Sequence, residues 1–114
     1  MTQPIIWHNP RCSKSRETLA ILEDEGFAPA IVKYLEAAPT ADKIRDTLAL
    51  LKIKASDLIR SGESIYKELG LSNASEADLI EAMAAHPILI ERPVVFHNGK
   101  VSLGRPPKSV LSIL

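Results

Sequence analysis

Before residue 36 the chain reads as strand, helix, strand. Pro4 can open a short buried strand, Ile5-Ile6-Trp7-His8, and Asn9-Pro10 then marks a turn. A helical pattern follows from about Ser13 to Glu25, with Leu19, Ile21 and Leu22 on one face and Gly26 where a terminating glycine belongs. Next comes the β-rich run Ala30 to Leu35, between Pro29 and Pro39. Such a unit implies two parallel strands joined by a right-handed crossover. That commits the chain to an α/β architecture.

The middle of the chain is helical. Thr40 is placed to cap a helix carrying Ile44, Leu48 and Leu51 on one face. Ser56-Asp57 starts a short helical piece through Arg60, and Ser64 to Leu69 adds a further turn or two. Ser75 and Asp78 resemble a capping box before the stripe Leu79, Ile80, Met83, and Pro87 closes that helix. The pattern then returns to β. Pro93 to His97 and Lys100 to Leu103 flank Asn98-Gly99, a strong hairpin signal. Pro106-Pro107 opens a last helix to Leu114, with Val110, Leu111 and Leu114 on its inner side. The order βαβ, helical insertion at about 40–90, then ββα predicts a mixed sheet in a single domain spanning 1–114.

The 114 residues suffice for a core without disulfides or metals. Fourteen cationic residues balance fourteen acidic ones, so no overall basic surface exists for nonspecific nucleic-acid binding. Met1-Thr2-Gln3-Pro4 lacks the basic start and apolar core of a signal peptide, and no apolar run reaches the length of a membrane span. A cytoplasmic monomer, with no nucleic-acid or membrane partner, is the default expectation.

Cys12 is the only cysteine, in the run His8-Asn9-Pro10-Arg11-Cys12-Ser13-Lys14-Ser15-Arg16. A lone cysteine is commonly a small buried hydrophobe. Here its neighbours are polar or cationic, and it stands between a strand end and a helix start. Backbone N–H groups and the positive helix end favour a reactive thiolate at such a place. With no second cysteine, a redox cycle must draw its second thiol from outside. His8, four residues earlier, either supports that thiolate or is a solvent-exposed strand-end histidine. His86 and His97 are remote, and no metal-ligand spacing is present, so no metal site is expected.

Three arginines occupy junctions: Arg60 ends a helical piece, Arg92 precedes Pro93, and Arg105 precedes Pro106-Pro107. Arginine suits a tetrahedral oxyanion because its planar fork donates parallel hydrogen bonds. Spacing alone leaves open whether the three converge or are solvated surface charges. Pro93, opening a strand, also raises a cis bond, although only about 5–6% of X–Pro bonds are cis.

The segment His8-Asn9-Pro10-x-Cys12-x-x-Ser15-Arg16-x-Thr18-Leu19 resembles the active-site motif of the glutathione/glutaredoxin-coupled arsenate reductases, the ArsC family. The resemblance continues through Tyr34-Leu35-Glu36, Leu58-Ile59-Arg60, Tyr66 to Leu71, His86 to Pro93 and Leu103-Gly104-Arg105-Pro106. Its Arg11, Ser13 and Lys14, with Gly104-Arg105-Pro106-Pro107, look closest to the short-chain, YfgD-like subgroup. The chain stops at Leu114, without the C-terminal extension of longer members.

The resemblance implies a thioredoxin-like fold with a helical insertion. It makes Cys12 the nucleophile, His8 its support, and Arg60, Arg92 and Arg105 the ligands of the arsenate oxygens. Asn9 and Ser15 take supporting places, and Pro93 aligns with a strand-opening cis-proline. No cofactor is bound; glutathione is the co-substrate and glutaredoxin the partner that resolves the mixed disulfide. Two alternatives stand beside this. An Spx-like regulator of RNA polymerase typically has Cys-x-x-Cys, where this chain has Ser15. A monothiol glutaredoxin-like thiol reductase would fit Cys12-x-x-Ser15, but does not call for arginines at three junctions.

Overall fold

Side-chain periodicity sorts the chain into two kinds of structure, and a computed structural model describes them over residues 3–114. Met1 and Thr2, part of the N-terminal stretch read above, lie outside the described residues. Two units are distinguished: a sheet unit, residues up to Ala37 with Arg92–Leu114, and a helical unit, Ala38–Glu91.

In the sheet unit, β1 (Ile5–Trp7) leads through a loop to α1 (Ser13–Asp24) and then to β2 (Ala30–Val32). β3 (Val94–His97) and β4 (Lys100–Leu103) complete a four-stranded sheet in the order β2-β1-β3-β4. β1 and β2 are parallel, as a βαβ crossover requires, whereas β1–β3 and β3–β4 are antiparallel. The β3–β4 turn places Asn98 and Gly99 at φ 51° and 74°, the left-handed conformation that a two-residue hairpin demands.

Alternation along the strands decides which residues face which way. Ile6 opposite Val95 points into a core with Leu22, Val110 and Ile113. Each such side chain, fully buried, contributes about 1.5–3 kcal/mol. Trp7 and Phe96 lie on the other face, ring centroids 5.0 Å apart.

Two expectations are corrected here. β2 ends at Val32 rather than Leu35, because the chain reverses at once: Glu36 and Ala37 donate their N–H groups to the Lys33 carbonyl. Tyr34 is buried all the same, without strand pairing. The terminal segment Pro107–Ile113 is a 3₁₀ rather than an α-helix. At three residues per turn the buried positions are Pro107, Val110 and Ile113, and Leu111 turns outward. The apolar face of α1 packs as expected, with Leu22 in the core and Leu19 and Ile21 partly buried against it, and Ser15 and Thr18 are buried as well.

In the helical unit, Thr40 caps α2 (Ala41–Leu51) through a 3.1 Å bond from the Lys43 N–H to its hydroxyl. Ser75 caps α5 (Glu76–Ala85) in the same way through Asp78. Between them lie α3 (Ala55–Leu58) and α4 (Ser64–Glu68). α3 ends two residues before Arg60, because Ile59 leaves the helix to bridge Ile90 in an extended pairing. Ile44, Leu58, Met83, Leu89 and Ile90 form the buried interior of this unit.

Candidate active site

Cys12 is the residue from which α1 starts. Its backbone is extended (φ −95°, ψ 123°), its N–H donates to the Asn9 carbonyl at 3.0 Å, and its carbonyl accepts the first helical bond from Arg16. The thiol makes no capping hydrogen bond and is partly exposed. It therefore meets the N-terminal end of a helix while contributing nothing to holding that end together.

The loop is held from behind by Ser15. The buried Ser15 hydroxyl accepts from the Asn9 N–H at 3.0 Å and lies 2.7 Å from His8 Nδ1. Asn9 in turn accepts from the Arg11 N–H at 3.0 Å through Oδ1, a side-chain turn that fixes the residues before the cysteine. Arg16 closes the outer side, donating to the Pro10 carbonyl at 3.0 Å. Asn9 and Ser15 thus act on one loop from its two ends.

His8 is buried, which removes the reading of an exposed strand-end histidine. Burial pushes its imidazole below the ordinary value of 6.5, and the positive charges of Lys33 and Arg16 push it the same way. At neutral pH it is an uncharged ring bonded to Ser15. Its structural effect on Cys12 runs through Ser15 and the loop.

A second segment approaches α1. The Arg92–Pro93 and Arg105–Pro106 bonds are both cis. The Gly104 N–H donates to the Pro93 carbonyl at 2.9 Å, extending the β3–β4 ladder by one step. Gly104 is buried tightly: a Cβ there would lie 2.5 Å from Thr18 Oγ1 and 2.6 Å from Pro93 Cγ. Thr18 is held by its own bond to the Lys14 carbonyl, 2.8 Å. Gly104 therefore sits between α1 and Pro93, and any larger residue would push them apart. Arg105 Nε donates to the Arg92 carbonyl at 3.0 Å, so these two arginine positions are joined across the paired strands.

Arg60 belongs to the helical unit and is engaged differently. Its NH1 donates to Glu63 Oε1 at 2.8 Å, and its Nε lies 3.7 Å from Glu91 Oε1. His86 ends α5, and His97 Nδ1 lies 2.8 Å from the Ile113 carbonyl. Among the described residues no three His, Cys, Asp or Glu side chains are grouped as a metal site would need. Also among them, no helix is long and apolar enough to cross a membrane.

Thr18 and Gly104 are the site-shaping residues that sequence reasoning missed. Both stand inside recognised motif segments, but an isolated glycine and a polar residue on a helix carry no periodic signal.

A βαβ unit joined to an antiparallel hairpin, with a single cysteine at the first helix start and a proline opening the third strand, defines a thioredoxin-like protein. The family model for the ArsC family matches residues 7–113, and the chain belongs to that family. It is 50% identical to YfgD of Escherichia coli (strain K12), an uncharacterized protein, covering 100% of this chain and 99% of that one. It is 43% identical to an arsenate reductase of Neisseria meningitidis, with 96% of each chain covered. The solved structure of an arsenate reductase from Vibrio cholerae superimposes with a TM-score of 0.94 at 48% identity, covering 98% of each chain.

Proposed function

We propose that this protein is an arsenate reductase in which Cys12 attacks arsenate and glutathione completes the reduction. The observation that supports it most is the Cys12 loop: one partly exposed thiol at a helix start, on a backbone held by other residues. The kinship with arsenate reductases supplies the substrate class.

In this reading the Cys12 thiolate bonds to arsenic and an arsenate oxygen leaves as water after protonation. Arg60, Arg92 and Arg105 are assigned to the remaining oxygens, so that an anion approaches an anion without prohibitive repulsion. Glutathione then adds its thiolate. The two sulfurs together give up two electrons, arsenic passes from the pentavalent to the trivalent state and leaves as arsenite, and a Cys12–glutathione disulfide remains. Glutaredoxin, a second thiol protein, reduces that disulfide. An external route is needed because the chain has no other cysteine.

An NADPH-coupled assay with glutathione, glutathione reductase and glutaredoxin tests this. Arsenate-dependent NADPH consumption that disappears in Cys12→Ala is the expected result. Turnover of a glutathionylated disulfide but not of arsenate would replace the proposal with a general thiol reductase.

A further inference from the structure

Arg60 does not stand in an open cationic site. Two carboxylates share its guanidinium, Glu63 at 2.8 Å and Glu91 at 3.7 Å, and the three side chains are 24–26% exposed. A carboxylate lying on this guanidinium opposes the approach of an oxyanion, and it opposes a doubly charged one twice as strongly.

The two carboxylates are held unequally. Glu91 is fixed through its backbone, its N–H donating to the Leu58 carbonyl at 2.9 Å beside the Ile59–Ile90 bridge. Glu63 follows the exposed Ser61-Gly62 turn, and the 3.3 Å bond of its N–H to the Arg60 carbonyl is long. The Arg60 NH1 edge is thus covered by the carboxylate that can swing away at least cost.

We propose that Glu63 is a specificity-determining residue that competes with the oxyanion for Arg60, so that binding exchanges one carboxylate for the substrate. This deepens the arsenate-reductase reading and rests on Arg60 being an oxyanion ligand. Glu63 then sets affinity and charge preference: it keeps Arg60 oriented while empty and raises the affinity threshold for any anion that cannot replace it.

The test is calorimetric binding of sulfate, and of nitrate as a singly charged probe, to the full chain and to Glu63→Gln, Arg60→Ala and the double variant. Glu68→Gln removes an exposed charge from α4 of the same unit as a control. The expected result is sulfate binding about two- to fivefold tighter in Glu63→Gln, the range an exposed ion pair supports. The gain should be smaller for nitrate, absent in Glu68→Gln, and lost when Arg60→Ala is added. The arsenate KM should fall in Glu63→Gln by more than kcat changes, a split that loosened folding would not produce. Glu63→Ala repeats the measurement if Glu63→Gln melts early. Unchanged or weaker sulfate binding in both Glu63 variants, with Arg60→Ala defective, overturns the competition while leaving Arg60 a ligand. Sulfate binding unaffected by Arg60→Ala overturns the Arg60 assignment itself, and the role of Glu63 with it. An equal gain in Glu68→Gln reduces the effect to net charge and also overturns the proposal.

Discussion

The sheet unit and the helical unit restrain their arginines by opposite means. In the sheet unit, Arg16 donates to the Pro10 carbonyl and Arg105 to the Arg92 carbonyl. A carbonyl orients a guanidinium without itself cancelling the charge. In the helical unit, Arg60 is oriented by carboxylates, which supply direction and cancel charge together. The contrast separates two tasks that a cationic side chain can perform, standing ready and being released. It also shows why a count of arginines is a poor measure of anion affinity.

The chemistry assigned to the sheet unit breaks most sharply at its sulfur. Cys12→Ala should lower arsenate turnover on the order of a thousandfold or more in the coupled assay, as expected when a nucleophile is removed. Its melting temperature should stay close to that of the parent, because the thiol makes no capping bond. Arg60→Ala, by contrast, should weaken anion binding without touching the intrinsic reactivity of Cys12 toward iodoacetamide.

Gly104→Ala comes next. The added methyl group has to displace Thr18 or Pro93, and overpacking of this kind costs about 1–3 kcal/mol. Denaturant unfolding would measure it, and an unchanged midpoint would mean that the sheet unit is looser at this contact than its geometry states.

Ser15→Ala removes the shared partner of the Asn9 N–H and the His8 ring. Leaving such buried groups unmatched costs about 1–2 kcal/mol. The loop before Cys12 should also become more accessible to protease, which no substitution at Arg60 should reproduce.

The smallest effect is a pH dependence carried by His8. Its folded-state value lies below 6.5, so on acidification the unfolded chain takes up the proton first. The stability tied to the neutral ring is complete above the unfolded value and declines as pH falls from there toward the folded value. Comparing His8→Gln with the parent between about pH 5 and 7 isolates the effect, because the glutamine variant lacks this acid-side decline. A parent and variant that lose stability in parallel would show that His8 is solvated.

What was legible in the sequence follows a physical division. Ile5-Ile6-Trp7, the Asn98-Gly99 turn and the Thr40 and Ser75 caps could be read because each rests on a local rule about backbone or polarity. The motif around Cys12 was readable for its residue types. Its internal geometry was not, since a hydrophobic pattern treats Ser15 and Thr18 as surface residues and the structure buries both. The terminal segment is ambiguous in sequence because a seven-residue stretch spans only about two turns of either helix type, and Val110 satisfies both periods. Arg60 stands out in sequence by its place at a junction, but its two carboxylates come from a turn and from a distant bridge, and no single window contains both.

Ser15 also determines what the protein can tolerate at its sulfur. Because the hydroxyl, and not the thiol, fastens the loop to His8 and Asn9, the steps proposed above for Cys12, from thiolate to arsenic ester to mixed disulfide, require none of these loop bonds to be made or broken. The Cys12 sulfur is mechanically idle in its own loop. Each intermediate of the proposed cycle would therefore meet the same backbone, and the next thiol would arrive at a loop whose shape does not record which step came before.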